Sequence, residues 1–132
     1  MAAELTGRWT VSRRVRDLLT GASGRFEGVA AITPDGRWVE EGTLEFGAYR
    51  GPARRELRIA GGEVRFADGR SFHPLDLTGR PVEHLCGEDR YTGSYRLVAP
   101  DRFETRWRIA GPGKDQRIDT SYRRTARDLG PP

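Results

Sequence analysis

Residues Val64–Tyr95 read VRFADGRSFHPLDLTGRPVEHLCGEDRYTGSY, and this stretch decides the fold. It holds both histidines, the single cysteine and five acidic residues, set between alternating apolar positions. Within it, Ala67-Asp68-Gly69-Arg70 places Asp-Gly between two strand-like runs, the strongest short hairpin signal. A two-residue turn there makes Phe66 face Ser71 and Val64 face His73 on one side of the sheet. Period two carries that side on to Leu75 and Leu77, so His73 is expected inside and Phe72 outside. One extra residue in the turn would reverse this parity.

The next segment alternates in the same way. Val82, His84 and Cys86 interleave with Glu83 and Leu85. After Gly87, the residues Asp89, Tyr91, Gly93, Tyr95 and Leu97 share one face, against Arg90, Thr92, Ser94 and Arg96. Asp89 falls on the aromatic side, where a carboxylate needs a partner or a raised pKa.

Working outward, the rest of the chain repeats the pattern. Inner faces are expected at Trp9, Val11, Arg13 and Val15, then Phe26, Gly28, Ala30 and Ile32, then Trp38, Glu40, Gly42, Leu44 and Phe46. Arg55, Leu57 and Ile59 form a fourth, and Phe103, Thr105, Trp107 and Ile109 with Ile118, Thr120 and Tyr122 the last two. Asp17-Leu18-Leu19 fits one helical turn. Turns are expected at Pro34-Asp35-Gly36, Gly51-Pro52, Gly61-Gly62, Pro100-Asp101 and Gly111-Pro112-Gly113. About ten short strands with almost no helical periodicity imply a sandwich or a barrel. A meander without a long crossover favours the closed barrel, which removes exposed edges. The expectation is an all-β, antiparallel up-and-down barrel of 8–10 strands over residues 1–127, with a disordered tail at 128–132. Small inner residues such as Gly28, Ala30, Gly42 and Gly93 leave room inside for one small ligand.

Composition narrows the classes of function. At 132 residues the chain suits one domain, burying about 65–70% of its unfolded surface. No apolar run is long enough for a membrane-spanning helix, and the N-terminus lacks the apolar core of a signal peptide. A single cysteine suits a reducing cytoplasm. Of 23 basic residues only Lys114 is lysine, leaving 22 arginines and a net charge of +4. These arginines are interleaved with acids along many strands, with no basic tail or run of five like charges. That distribution argues against nucleic acid as the partner.

A resemblance adds to this reading. Gly7-x-Trp9 on the first strand with Arg123-Arg124 on the last resembles the lipocalin and calycin closure, where a tryptophan plugs one end under an arginine. Phe26-x-Gly28, Val64-x-Phe66-x-Asp68-Gly69-Arg70-x-Phe72-His73, His84-x-Cys86-x-x-Asp89-x-Tyr91-x-Gly93-x-Tyr95 and Trp107-x-Ile109-x-Gly111-Pro112 look like one family. It is a family of small bacterial and plant domains of unknown function, for which the resemblance implies a calycin-like barrel. The strand count is also similar to nitrobindin-type haem barrels, without a dedicated haem motif.

Several constellations could carry chemistry. His73, His84, Asp89, Tyr91 and Tyr95 can line one pocket, as hydrogen-bonding groups or as an acid/base set. The alternative is a group of core polar residues satisfying one another. His84-x-Cys86 with His73 or Asp89 offers metal ligands, but without the spacing that makes a metal site specific. A thiol in a strand interior is poorly activated as a nucleophile. Lys114, in the Gly111–Asp115 turn, suits anion binding or, if desolvated, imine formation; a solvated turn with a Lys–Asp pair is the plain alternative. Glu40 and Arg55 fall on inner faces of neighbouring strands and are expected to pair, and Arg13 to meet Asp89.

The function expected is binding of a small, partly apolar molecule inside the barrel, by a monomer or weak homodimer with no membrane, metal or cofactor. Phe66, Trp38, Tyr91, Tyr95, Trp107 and Tyr122 would give the walls, and His73, His84, Asp89, Glu40 and Arg55 the polar contacts. The alternative is a small enzyme in the same cavity, a hydrolase, isomerase or cyclase. There His73 or His84 would move a proton, Asp89 orient it, and Tyr91 or Lys114 stabilise developing charge.

Overall fold

A computed structural model describes residues 2–125; the tail expected at 128–132 lies outside the described residues. A single 3-10 turn over Ala2–Leu5 precedes ten strands. They are β1 (Gly7–Asp17), β2 (Ser23–Ile32), β3 (Arg37–Phe46), β4 (Tyr49–Ala60), β5 (Glu63–Phe66), β6 (Ser71–Pro74), β7 (Val82–Cys86), β8 (Asp89–Ala99), β9 (Arg102–Gly111) and β10 (Lys114–Arg124). All belong to one antiparallel sheet ordered β6-β5-β4-β3-β2-β1-β10-β9-β8-β7. Each strand therefore pairs with its sequence neighbour except at β6–β7, the first pairs with the last, and the result is a nearly closed up-and-down barrel.

The seam lies between β6 and β7, which share no ladder among the described residues. Pro74 and Pro81 bracket the connection, and neither can donate to a ladder. The connection runs beside β8 instead: Gly79 N–H donates to Tyr95 O at 2.8 Å, and Leu97 N–H to Leu77 O at 2.9 Å. Across the seam, aromatic side chains meet, Phe72 against His84 at 5.1 Å and Phe66 against His84 at 5.6 Å between ring centroids.

The hairpin at the centre of the sequence departs from expectation in two places that cancel. Phe66 N–H donates to Arg70 O and Gly69 N–H to Phe66 O, both at 2.9 Å, so the loop has three residues rather than two. Gly69 supplies the positive φ of 92° that this loop requires. Arg65 then faces Ser71, and a bulge at Phe72 restores Val64 opposite His73. His73 is buried as expected. Phe72 turns inward too, stacking on Phe66 at 4.6 Å and on Trp107 at 5.2 Å, against the expectation that it points out. Gly51-Pro52 is also not a turn. The chain reverses at Gly47-Ala48, and Pro52 sits inside β4 opposite Thr43. The imide is tolerated because β5 covers β4 only from Leu57 to Ala60, leaving Pro52 on an open edge.

Burial falls along β1 and β3 from one end of the barrel to the other. On β1 it passes from Trp9 and Val11, buried, to Arg13 and Val15, half-buried; on β3 from Trp38 and Glu40 to Leu44 and Phe46. At the buried end Phe103 stacks on Tyr122 at 4.1 Å, and Trp9 meets Phe103 edge-on at 4.7 Å. Arg124, rather than Arg123, caps this end, 4.2 Å over the Trp9 ring. Its guanidinium donates to Pro100 O, Thr6 O and Glu4 O at 2.6–2.8 Å. Arg124→Met strips three carbonyls of a charged donor and a cation from an indole face. It should cost about 2 kcal/mol in denaturant unfolding.

Two glycine sets shape the barrel wall. Gly28 and Gly42 face each other across β2 and β3. A Cβ on either would run into the facing strand's backbone carbonyl, at Glu41 or Glu27. The glycines let the two strands approach closely, not merely leave room. Gly93 lies beneath the Trp107 indole, where a Cβ would come within 3.0 Å of three ring atoms.

Candidate functional site

Below the open end lies a cavity of about 290 Å3. Its walls are Phe26, Leu44, Phe72, Trp107, Ile109 and Ile118, with Tyr91 also reaching it. Its polar floor is built by three strands. Arg13 of β1, Glu40 of β3 and Arg55 of β4 all point inward, as their alternation dictates.

Glu40 faces Arg55 in register across β3 and β4. Arg55 Nε donates to Glu40 Oε1 at 2.9 Å, and Arg13 Nη2 donates to the same oxygen at 2.8 Å. Glu40 Oε2 accepts from Trp38 Nε1 at 3.1 Å, from Arg55 Nη2 at 3.5 Å and from the Tyr122 hydroxyl. Arg13 Nε donates to Thr120 Oγ1 at 2.9 Å, and its Nη2 also to the Tyr122 oxygen at 3.0 Å. The expected Arg13–Asp89 pair does not form. The small Gly28 and Ala30 on the intervening β2 leave Arg13 a path to Glu40 instead.

The electrostatics follow from this geometry. Burial would raise the Glu40 pKa, but Arg55 and Arg13 outweigh it and hold the carboxyl at about 2. Burial and the Glu40 charge push the Tyr122 hydroxyl up, so it keeps its proton as a donor. The side chains of Glu40 and Arg13 are 1% and 12% exposed, while Arg55 is 41% exposed. The floor therefore shows its positive side to the cavity.

The remaining sequence-derived candidates divide by layer. Trp38, Tyr95 and Tyr122 are buried, Trp38 and Tyr122 as partners of Glu40 in the floor, and none of the three lines the cavity walls. His73 is also buried, its ring 4.6 Å from Phe72 and 5.0 Å from Trp107. Its Nδ1 donates to Pro74 O at 2.8 Å and its Nε2 accepts from the Tyr95 hydroxyl at 3.2 Å. Burial lowers the His73 pKa and pushes Tyr95 up to about 12, which fixes both neutral. With both nitrogens engaged, His73 has none to offer a metal or haem iron.

His84 and Phe66 belong to the aromatic seam beside Phe72. Asp89 and Lys114 sit together at the rim, 3.7 Å apart. Cys86 is exposed rather than on an inner face. Among the described residues no three His, Cys, Asp or Glu side chains are placed to share a metal ion. No helix among the described residues is long and apolar enough to cross a membrane.

The sequence reading missed Arg13, Thr120 and the Tyr122 hydroxyl as one network with Glu40. The available signal was that all four lie on inner faces, where any polar group must find a polar partner.

Comparison with solved structures gives the same architecture. An S-type phycobiliprotein lyase from Guillardia theta superposes with a TM-score of 0.63 at 8% identity, over 93% of this chain and 89% of that one. A protein of unknown function from Nostoc punctiforme, of the DUF3598 family, gives 0.54 at 12% identity, over 95% of this chain and 49% of that one. At these identities the likeness is one of fold. No protein with a curated description matches the sequence. A family model does match, over residues 5–124, and the chain belongs to DUF6314, a family of unknown function.

Proposed function

We propose that the protein binds a small, partly apolar molecule in the open end of its barrel, in the reducing interior of the cell. The observation that carries this is the cavity itself: aromatic and aliphatic walls over a floor of charged groups, above a core of buried aromatic side chains. Ligand sites combine an apolar lining with a few fixed polar groups in this way. A buried ion cluster is weak evidence of stability, since apolar residues of similar volume often do as well. A role in recognition accounts better for keeping it. The single free Cys86, exposed, fits a reducing compartment.

Size limits the ligand. An apolar cavity of about 150 Å3 holds benzene, so about 290 Å3 suits one or two rings. Binding is favoured over catalysis because the histidine and carboxylate nearest the cavity are already engaged. His73 is sealed behind Phe72 and Trp107, and Glu40 accepts from four side chains.

The test uses prodan, a neutral two-ring fluorophore, read by its emission shift. Wild type should bind it, and Ala53→Phe, which projects a ring into the cavity from β4, should weaken binding at least tenfold at near-native stability. Equal binding by both proteins would place the probe outside the barrel and refute the proposal.

A further inference from the structure

Resting on that reading, we infer that the cavity selects a small aromatic or alicyclic monoanion, its carboxylate held by the Arg55 and Arg13 guanidiniums. Charge is the first ground. Two guanidiniums and one carboxylate leave the floor with one uncompensated positive charge, and the other floor groups, Thr120, Tyr122 and Trp38, are neutral.

Hydrogen-bonding capacity is the second ground. Both Glu40 oxygens are saturated, so the carboxylate can take no donor from a ligand. The Tyr122 oxygen donates to Glu40 and accepts from both arginines, Arg55 Nη2 lying 3.3 Å away. What remains is Nη1 of Arg13 and of Arg55, for which no acceptor exists among the described residues. Both residues line the cavity. The floor thus presents guanidinium donors with a net positive charge and no free carboxylate, beside the neutral hydroxyls of Thr105 and Thr120. It accommodates an acceptor-only, negatively charged group and disfavours an ammonium or an amide N–H.

The walls are the third ground. Above the floor stand Phe26, Leu44, and Phe72 stacked on Trp107, flat surfaces suited to a ring rather than a flexible polar body. Between these apolar walls the guanidinium–carboxylate attraction is less screened than on the open surface, most of all at Arg13, whose side chain is 12% exposed.

The experiment compares naphthalene-2-carboxylate with naphthalene-2-carboxamide, matched in shape and differing in charge, by calorimetry alongside prodan. The carboxylate should bind at least tenfold tighter than the amide. Arg55→Met should cut that ratio at least tenfold, whereas Arg55→Lys, which keeps a cation, should retain part of the preference and shows that a folded barrel carries the effect. Amide binding as tight as carboxylate, or an undiminished ratio in Arg55→Met, overturns the anion inference and leaves the cavity reading standing. If neither naphthalene nor prodan binds, both fail together.

Discussion

Glu40→Gln should lower stability by about 3–5 kcal/mol, the usual cost of removing one partner from a buried ion cluster. The loss has a definite chemical origin. Every group around Glu40 is a donor: two guanidiniums, the Trp38 indole and the Tyr122 hydroxyl. A glutamine amide turns one acceptor oxygen into a fifth donor, and it leaves Arg13 and Arg55 repelling each other in the interior. For a chain of this size the melting temperature should fall by about 10–20 °C.

The same substitution should change the acid limb of the stability curve. Glu40 is held at about 2 against an ordinary 4.5, a difference worth about 3 kcal/mol at neutral pH. Because the folded pKa is the lower one, this contribution is complete above about pH 4.5 and is lost as pH falls towards about 2. Denaturant unfolding of wild type should weaken across that window, and Glu40→Gln should lack that part of the slope. Adding Arg55→Met to Glu40→Gln should cost less than the two separate changes summed, since the repulsion then disappears. A Glu40→Gln protein within 1 kcal/mol of wild type would contradict the network described.

Gly93→Ala should be the second large effect, about 2–3 kcal/mol, at the upper end of overpacking costs. Its methyl group would fall within 3.0 Å of three Trp107 ring atoms. The indole is held by its stack on Phe72 at 5.2 Å and by Tyr95 at 6.2 Å, so it yields only by breaking that stack or entering the cavity. Moving Trp107 disturbs a cavity wall, so prodan affinity should fall with stability and the near-ultraviolet signal of the indole should change. Unchanged binding and spectrum would mean that the wall does not depend on this contact.

The fold was legible because period two is a local property. Inner faces assigned strand by strand placed Glu40 and Arg55 together without knowledge of the connecting turn, and they pair although the turn lies at Gly47-Ala48 and not Gly51-Pro52. His73 came out inside because a longer loop and a bulge at Phe72 compensate, and neither leaves a mark on the alternation. Phe72 itself could not be read, since a bulge residue escapes the rule that assigns faces.

Contacts across the barrel were illegible for another reason. Arg13 reaches Glu40 past β2, and which inner residues stand level depends on the stagger of every ladder between them. For the same reason the apolar walls expected from Trp38, Tyr95 and Tyr122 lie one layer too deep. Alternation gives the face a residue is on, but not its height in the barrel.

Height in the barrel is what the three tryptophans report, one at each level: Trp9 in the plugged end, Trp38 bonded to the floor carboxylate, Trp107 in the cavity wall. Each contributes one indole N–H resonance, and substitution of each by Phe assigns it. Titration of the labelled protein with prodan should move the Trp107 resonance most, Trp38 less and Trp9 scarcely at all. A ligand that binds while leaving Trp107 unmoved, or that shifts all three alike, would contradict a binding site in the open end of the barrel.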